Sequence, residues 1–253
     1  MLVKIQDLTL EHIASICDHT FLNRSESYRE KAQKGESPVR LRQKAFETFI
    51  SETLVRLIPP YAICIRAEDV SHVKKYLEKN KSKLKIAATV GFPDGSWYPT
   101  RHKLEEAALA SDCGADEIDF VLNYDLLKKG NLNYVLNETA ALADMAFRRQ
   151  FLSKMILETS ELNNEHIIYA CNLAYDHRID FVKTSTGFSS AGATPENLKL
   201  MRENFPGGVK ISGGVKAQNY KQLLLAASGR GDDYIDINPL KIRIGESSLL
   251  AEL

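Results

Sequence analysis

Short apolar runs alternate with longer amphipathic segments along most of this chain. Eight of these runs have the length and composition of buried strands. We predict strands at Ile13–Cys17, Tyr61–Ile65, Leu84–Val90, Glu117–Leu122, Lys154–Glu158, Ile179–Lys183, Val209–Ile211 and Lys241–Ile244. Apart from the first gap, they are spaced by roughly 23–38 residues, which is the size of a strand–loop–helix unit.

The segments between these runs carry helix signals. Val70, Val73 and Leu77 fall on one helical face. Thr194 precedes proline in the way that a capping residue precedes the first helical position, and Gly229 is placed to end a later helix. Alternation of strands and helices produces a parallel sheet with right-handed crossovers. Eight such units predict a (β/α)8 barrel of the TIM type.

An open, doubly wound sheet is the alternative architecture. That fold has a glycine-rich phosphate loop after its first strand. The predicted first strand is followed instead by Asp18-His19-Thr20-Phe21-Leu22, so the barrel is favoured. We predict one barrel domain over residues 1–253. The polar stretch Asn23–Val39 is interpreted as an insertion or flexible loop before a helix that starts near Leu41.

Composition and charge narrow the partners. The chain has 253 residues, of which 44% are hydrophobic, and 33 basic residues balance 33 acidic ones. This balance argues against a polyanion-binding surface, so we expect no nucleic acid partner. No apolar run approaches the ~18 residues of a membrane helix, and the N-terminus lacks a signal-peptide pattern. We therefore expect no membrane association.

The cysteines and histidines bear on compartment and metal binding. Four widely spaced cysteines without a Cys-x-x-Cys pair indicate reduced thiols and a cytoplasmic location. The six histidines show no ligand spacing on a helix face. We therefore expect no dedicated metal site.

Two lysines stand out on neighbouring predicted strands. The active face of a barrel lies at the carboxyl ends of its strands, where Lys183 ends the sixth strand and Lys210 lies in the seventh. Burial and mutual repulsion would lower the pKa of at least one of them. A neutral amine can attack a carbonyl group to form a Schiff base. Each lysine could instead be a solvated or carboxylate-paired residue, but two at adjacent strands favour a catalytic interpretation.

Asp119 is the third candidate, because it interrupts an otherwise apolar strand end. It could relay protons to Lys183 or to a bound water, and it could equally be a salt-bridge partner of a lysine. Asp116 and Glu117 are predicted to lie in a loop or at the rim. Glu158 could balance the lysine charges without taking part in the chemistry.

Glycine and serine residues follow the last two predicted strands. Ser212-Gly213-Gly214 follows the seventh, and Gly245-Glu246-Ser247-Ser248 follows the eighth and starts a helix. Loops at these places commonly bind phosphate in barrels through backbone N–H groups. Gly187, after the sixth strand, could add another donor. Cys64 is predicted to be a core residue with a minor part in lining the pocket.

Several of these motifs together resemble deoxyribose-phosphate aldolases, a family of class I aldolases that act through a Schiff base. The resemblance extends from about Cys17 to the C-terminus. The matching motifs are Thr89-Val90-Gly91-Phe92-Pro93, Gly114-Ala115-Asp116-Glu117-Ile118-Asp119, Val182-Lys183-Thr184-Ser185-Thr186-Gly187, Gly208-Val209-Lys210-Ile211-Ser212-Gly213-Gly214-Val215 and Arg243-Ile244-Gly245-x-Ser247-Ser248.

The resemblance implies a (β/α)8 barrel that reversibly cleaves 2-deoxy-D-ribose 5-phosphate to acetaldehyde and D-glyceraldehyde 3-phosphate, without metal or cofactor. Lys183 would form the Schiff base, Lys210 would keep it reactive, and Asp119 would relay protons. The resemblance and the strand positions together give the expected substrate-binding residues as Asp18, Thr20, Cys64, Thr186, Gly187, Gly213, Gly214, Gly245, Ser247 and Ser248.

The chain departs from the family pattern at three places. The segment from Thr20 to Tyr61 is longer than expected, Lys216 stands where arginine is common, and Phe188 stands where some members have a phosphate-binding lysine. These departures bear on the phosphate affinity, substrate preference and subunit contacts that the resemblance implies. The resemblance is also compatible with a homodimer. Two alternatives stay open: a related Schiff-base aldolase acting on another phosphorylated sugar, and a non-catalytic phosphosugar-binding barrel.

Overall fold

Eight parallel strands close into a barrel in the computed structural model, which describes all 253 residues. The ten strands of the chain are β1 (Leu2–Lys4), β2 (Cys17–Phe21), β3 (Ala62–Arg66), β4 (Lys85–Val90), β5 (Glu117–Val121), β6 (Leu152–Ile156), β7 (Phe181–Lys183), β8 (Gly208–Ser212), β9 (Tyr234–Asp236) and β10 (Ile242–Glu246). β2 to β8 follow one another around the barrel, and β10 closes it between β8 and β2. β1 and β9 pair antiparallel outside it. The predicted (β/α)8 barrel is therefore confirmed.

Helices surround the barrel. They are α1 (Leu10–Ala14), α2 (Pro38–Val55), α3 (Val70–Lys79), α4 (Thr100–Asp112), α5 (Tyr124–Lys128), α6 (Leu132–Arg149), α7 (Asn164–Asp176), α8 (Pro195–Asn204), α9 (Tyr220–Ser228) and α10 (Leu249–Glu252). Thr194 caps α8 by accepting a hydrogen bond from the Asn197 N–H, and Gly229 ends α9 in the left-handed conformation. None of the helices has both the length and the apolar character needed to cross a membrane.

The alternation of side chains along the strands separates two environments. In β8, Val209 and Ile211 face outward into the main hydrophobic core, whereas Lys210 faces the barrel interior. In β5, Ile118 and Phe120 face outward in the same way, and Asp119 faces inward. The hydrophobic core therefore lies between the barrel and its helices, and the barrel interior receives charged residues.

The predicted first strand is wrong. Residues Leu10–Ala14 form α1, which Thr9 caps, and the strand runs over Cys17–Phe21 instead. Ile13 and Cys17 are both buried, so a short apolar run of this kind has no pattern that separates a helix from a strand. As a consequence, Asp18 and Thr20 lie within the strand rather than in the loop after it.

The polar segment 23–39 was predicted as an insertion or flexible loop. It contains a short 3-10 helix, Ser25–Tyr28, in which Tyr28 is buried, and α2 begins at Pro38. The Arg24 guanidinium donates to the Phe92 carbonyl oxygen at 3.3 Å, which places the segment beside the loop after β4. Its role as an insertion, and the extent of the domain, stay predictions.

Burial of the cysteines predicts how the thiols react. Burial raises the pKa of Cys17, Cys64 and Cys171, the last to about 12, whereas Cys113 is partly exposed. Since the thiolate is the nucleophile, we expect one thiol to react with an aromatic disulfide reagent at neutral pH in the native chain, and four after unfolding. Absorbance of the released thiolate measures both numbers. Cys113→Ser should remove the native reaction, and persistence of a reactive thiol in that variant would contradict the burial of the other three.

Candidate active site

Seven charged residues fill the interior of the barrel with their side chains, and none of these residues is more than 3% exposed. They are Asp18, Glu117, Asp119, Lys154, Lys183, Lys210 and Arg243. Strand register brings them together. Asp119 of β5 lies level with Lys154 of β6, and Lys210 of β8 lies level with Lys183 of β7 and Arg243 of β10. Residues that are level on neighbouring strands and face the same side have side chains in contact.

Asp119 lies at the centre of this group. Its Oδ2 atom accepts hydrogen bonds from Lys183 Nζ at 3.0 Å and from Lys210 Nζ at 2.7 Å. Its Oδ1 atom accepts one from Lys154 Nζ at 2.6 Å. One carboxylate therefore contacts three lysine side chains.

Further ion pairs extend from the lysines that contact Asp119, and together they form a closed ring. Lys210 Nζ lies 2.5 Å from Asp18 Oδ2, and Arg243 Nη1 lies 2.6 Å from Asp18 Oδ1. Arg243 Nη2 lies 2.8 Å from Glu117 Oε1, and Glu117 Oε2 lies 2.5 Å from Lys154 Nζ. The two 2.5 Å contacts are ion pairs rather than directed hydrogen bonds. We call the closed set Asp119–Lys210–Asp18–Arg243–Glu117–Lys154 the charge ring.

The surroundings give the three lysines different acidities. Burial and the neighbouring Lys210 cation lower the pKa of Lys183, and Asp119 only partly opposes them. Burial also disfavours the charged form of Lys210, but Asp119 and Asp18 outweigh it and raise the pKa of Lys210 well above its usual value. Burial opposes the charge of Lys154 too, yet Asp119 and Glu117 raise its pKa. Lys183 is therefore the lysine of this group whose neutral form is favoured.

Two carboxylates in contact with these cations, those of Asp119 and Asp18, are held ionised. Burial alone would raise the pKa of Asp119, but Lys154, Lys210 and Lys183 bring it well below the usual value. Burial likewise opposes the charge of Asp18, and Lys210 and Arg243 lower its pKa to about 2. Asp119 and Asp18 are therefore ionised at neutral pH.

A cavity of about 340 Å³ opens above Lys183 at the carboxyl end of the strands. Fifteen residues line it: Thr20, Leu22, Asn23, Lys183, Thr186, Gly187, Phe188, Ser212, Gly213, Gly214, Val215, Lys216, Gly245, Glu246 and Ser247. The structure thus brings most of the predicted substrate-binding residues to one cavity. Asp119 and Lys210 do not line it, but Asp119 Oδ2 accepts a hydrogen bond from Lys183, which does.

The predicted substrate residues Asp18, Cys64 and Ser248 are not in the cavity lining. Asp18 belongs to the charge ring, and Cys64 Sγ lies beneath the cavity, 3.8 Å from Lys210 Nζ. Ser248 lies just beyond the lining and contacts Lys216. Substrate binding by these three residues stays a prediction.

Backbone N–H groups surround the end of the cavity away from Lys183. Those of Gly187, Gly213, Gly214 and Ser247 donate to no other group of the protein. Gly213 has a φ of +83°, and a Cβ there would lie 2.9 Å from the Gly192 Cα, so no other residue fits without a shift. Free N–H groups in such a turn form a concave site for an anion.

Lys216 is the cation at this end of the cavity, and it is already paired. Its Nζ lies 2.7 Å from Ser248 Oγ and 3.1 Å from Glu252 Oε1, and the Ala217 N–H donates to Glu252 Oε2 at 3.0 Å. Hydrogen bonds from the Ser248 hydroxyl, the Ala217 N–H and Lys216 lower the pKa of Glu252 to about 2. The Glu252 carboxylate therefore accepts hydrogen bonds from Lys216 and the Ala217 N–H, which are donors that an incoming anion would use.

Two other side chains shape the rim. Glu246 lines the cavity, but its Oε1 lies 2.6 Å from Nδ1 of His19, whose ring stacks on Phe49 of α2 outside the barrel. The Phe188 ring meets the Phe92 ring edge to face at 5.3 Å. Position 188 therefore supplies an apolar wall.

Glu158, which was expected to balance the lysine charges, instead accepts hydrogen bonds from the N–H and hydroxyl of Thr186.

Three members of the charge ring were either not predicted from the sequence or predicted in the wrong place. Glu117 was predicted at the loop or rim, but it lies in β5 and is 3% exposed. Glu117 and Asp119 are two residues apart, so strand alternation puts them on one face, and this signal could have placed Glu117 inside the barrel. Lys154 is the single charge of β6 and Arg243 lies between Ile242 and Ile244 in β10, and neither was assigned a role.

The chain is similar to known aldolases. A family model described as DeoC/LacD family aldolase matches residues 17–251. A deoxyribose-phosphate aldolase from Thermococcus gammatolerans is 41% identical over 166 residues, which are 65% of this chain and 72% of the relative. One from Caldicellulosiruptor saccharolyticus is 35% identical over 213 residues, which are 83% of this chain and 87% of the relative.

Solved structures show the same architecture. The aldolase QR15 superimposes with a TM-score of 0.72 and 28% identity, and the match covers 96% of this chain and 94% of QR15. The tetrameric deoxyribose phosphate aldolase from Aeropyrum pernix gives a TM-score of 0.75 at 23% identity over 98% of this chain and 93% of the other, which bears on the fold alone. By its match to the family model over nearly its whole length, the chain belongs to the DeoC/LacD family of aldolases.

Proposed function

We propose that this enzyme is a deoxyribose-phosphate aldolase, which reversibly cleaves 2-deoxy-D-ribose 5-phosphate to acetaldehyde and D-glyceraldehyde 3-phosphate. The observation that carries the proposal is a single lysine, Lys183, that is buried at the base of the cavity with a lowered pKa. The curated relatives named deoxyribose-phosphate aldolase support the choice of substrate.

Lys183 is the proposed nucleophile. Its neutral amine attacks the C1 aldehyde of the open-chain sugar and forms a carbinolamine, which loses water to give a protonated imine. Among the three lysines that contact Asp119, Lys183 is the one that lines the cavity. Its Nζ is therefore the amine that a substrate carbonyl can reach.

The protonated imine promotes the bond cleavage. The C3 hydroxyl loses its proton, the C2–C3 bond breaks, and its electron pair moves toward the imine to form an enamine. C3 becomes the aldehyde of D-glyceraldehyde 3-phosphate. Protonation of the enamine at C2 and hydrolysis of the imine then release acetaldehyde and return Lys183 as an amine.

Asp119 and Lys210 are the proposed proton-handling pair. Both Lys183 and Lys210 donate to the same oxygen, Asp119 Oδ2, so a proton can pass between the two nitrogens along a shared acceptor. The pKa of Asp119 is well below its usual value, because the three lysines outweigh the effect of its burial, so the carboxylate does not retain the proton. Before substrate binds, Lys210, whose pKa is raised well above its usual value, is the neighbouring cation that favours the neutral form of Lys183.

The glycine-rich end of the cavity is the proposed phosphate site. The unpaired N–H groups of Gly187, Gly213, Gly214 and Ser247 support this assignment. Thr20, Thr186 and Gly245 are proposed to line the sugar between the phosphate and the Schiff base. Substrate partners are then small phosphorylated sugars and aldehydes.

We also propose a cytoplasmic location, which the four free cysteines support. The homodimer that the family resemblance allows stays a prediction.

Trapping of the Schiff base tests the proposed function. We expect borohydride, added with acetaldehyde, to reduce an imine on Lys183 and to fix a two-carbon adduct there. Mass spectrometry of the intact chain and then of its peptides locates the adduct. Lys183→Leu should lose the adduct and all turnover while the circular dichroism spectrum is retained.

Two outcomes would count against the proposal. Without any adduct on the wild-type chain, the non-catalytic phosphosugar-binding barrel would be the better account. An adduct on Lys183 without acetaldehyde release from 2-deoxyribose 5-phosphate would indicate an aldolase for another phosphorylated sugar. Lys85→Leu, which changes an exposed lysine paired with Asp116, serves as the control and should retain the adduct.

Removal of Lys210 should raise the pKa of Lys183. In Lys210→Met, Asp119 Oδ2 is left to Lys183 alone and a neighbouring cation is lost, so the charged amine is favoured. Because the neutral amine is active, the rising limb of the kcat/KM–pH profile should move to higher pH, and the rate at pH 7 should fall at least tenfold. An unshifted profile with wild-type rate at pH 7 would refute the role of Lys210.

Release of Lys216 from Glu252 should strengthen phosphate binding. Glu252→Gln leaves the Lys216 ammonium free to contact an anion, so we expect KM for 2-deoxyribose 5-phosphate to fall severalfold with kcat little changed. KM for unphosphorylated 2-deoxyribose should stay constant, because it has no anion to bind. Glu203→Gln, an equal charge change on an exposed helix position, is the matched control, and an equal effect there would show a general charge effect instead.

A further inference from the structure

Every carboxylate oxygen inside the barrel contacts a cation other than Lys183. Asp18, Glu117 and Asp119 supply six oxygens, and each of the six lies within 2.8 Å of a cation of the charge ring. Lys183 has no oxygen of its own. It shares Asp119 Oδ2 with Lys210, and its 3.0 Å contact is the longest of the group.

The charges give the same result. Three carboxylates balance Lys154, Lys210 and Arg243, so the charge ring is neutral without Lys183. A protonated Lys183 would be a fourth cation, and a buried charge without a counter-charge is strongly disfavoured. The surplus positive charge therefore falls on Lys183, the one lysine of the barrel interior that lines the cavity.

Glu117 and Arg243 complete this balance from a distance. Neither lines the cavity or contacts Lys183. Arg243 packs against the Tyr61 ring with its Cζ 3.7 Å from the ring centroid, and its Nε donates to the Pro239 carbonyl oxygen. These contacts hold the guanidinium between Asp18 and Glu117, where it occupies one oxygen of each.

We propose that Glu117 and Arg243 are positioning residues for the aldolase reaction, because they close the charge ring and so leave Lys183 as its uncharged, reactive neighbour. This inference rests on the proposed function and extends it to two residues that touch no substrate. The other titratable groups around Lys183 are Asp119, Lys210, Cys64, Lys154 and Asp18 beneath it and Glu158 and Glu246 beside the cavity. All of them stay unchanged in the variants below.

Substitutions at the two positions should have opposite effects. Arg243→Met leaves three carboxylates and two cations, so Lys183 becomes the third cation and the midpoint of its titration rises. Glu117→Gln leaves two carboxylates and three cations, so the midpoint falls. A unit charge that is separated by one or two ion pairs, in a medium of effective dielectric about 20, shifts a pKa by about one unit.

The double variant Glu117→Gln/Arg243→Met distinguishes charge balance from structural damage. It restores equal numbers of carboxylates and cations, so its midpoint should return to within about 0.3 pH units of the wild type, which is well inside the shifts of about one unit expected for the single variants. Arg243→Lys keeps the charge and should also preserve the midpoint. If both residues only supported the fold, the double variant would show no return, since two losses of packing do not cancel.

The midpoint is measured without any sugar. A small amine-selective acylating reagent reacts with the neutral amine only, and peptide mapping gives the rate at Lys183 as a function of pH. The pH profile of kcat/KM for 2-deoxyribose 5-phosphate is the second readout. Glu138→Gln is the matched control, because Glu138 is a 1% exposed partner of Lys103 in a buried ion pair outside the ring, and it should leave the midpoint unchanged.

The outcomes separate this inference from the proposed function. Opposite shifts that cancel in the double variant support the inference, even if no acetaldehyde is formed and the proposed substrate is wrong. Shifts in the same direction, or no shift, overturn it even if the enzyme cleaves 2-deoxyribose 5-phosphate. If Arg243→Met does not fold, the downward shift in Glu117→Gln and the unchanged midpoint in Arg243→Lys decide, and absence of the downward shift refutes the inference.

Discussion

The shared carboxylate of Asp119 is the interaction on which the centre of this molecule depends. It contacts Lys154, Lys183 and Lys210, yet one negative charge cannot neutralise three positive ones. Asp18 and Glu117 supply the remaining negative charge to Lys210 and Lys154. Lys183 has no such second partner, and its pKa falls because of its burial and the cation beside it. The reactivity of one amine thus follows from the pairing of all the others.

The fold makes this arrangement possible by reversing the usual distribution of charge along strands. Apolar side chains such as Val209 and Ile211 face outward, where helices cover them, and Lys210 faces the barrel axis. Buried ions are tolerated only when nearly every donor and acceptor has a partner of opposite charge. A closed ring meets this condition better than an open chain of ion pairs, because it has no unpaired end. Stability of the interior and the charge state of Lys183 are therefore set by the same contacts.

Lys183 lies at the boundary between this ionised interior and an open cavity of different character. The far end of the cavity offers backbone N–H groups from glycine turns rather than free cations, since Lys216 is paired with Glu252 and Phe188 is apolar. Backbone donors are fixed in place and carry no net charge, so they suit the proposed phosphate without adding to the positive charge near Lys183. The two ends of the site thus make separate electrostatic demands, and the loops after β7, β8 and β10 keep them apart.

The sequence by itself determined the barrel, the two central lysines, Asp119 and the glycine-rich end, because strand periodicity and short motifs are local properties of the chain. It misplaced the first strand, since the apolar run around Ile13 suits a helix as well as a strand. It also put Glu117 at the rim and gave Lys154 and Arg243 no role. Ion pairs between β2, β5, β6, β8 and β10 depend on strand register and on closure of the barrel, which join residues up to 225 positions apart. Only the tertiary structure could therefore decide which lysine lacks a carboxylate of its own.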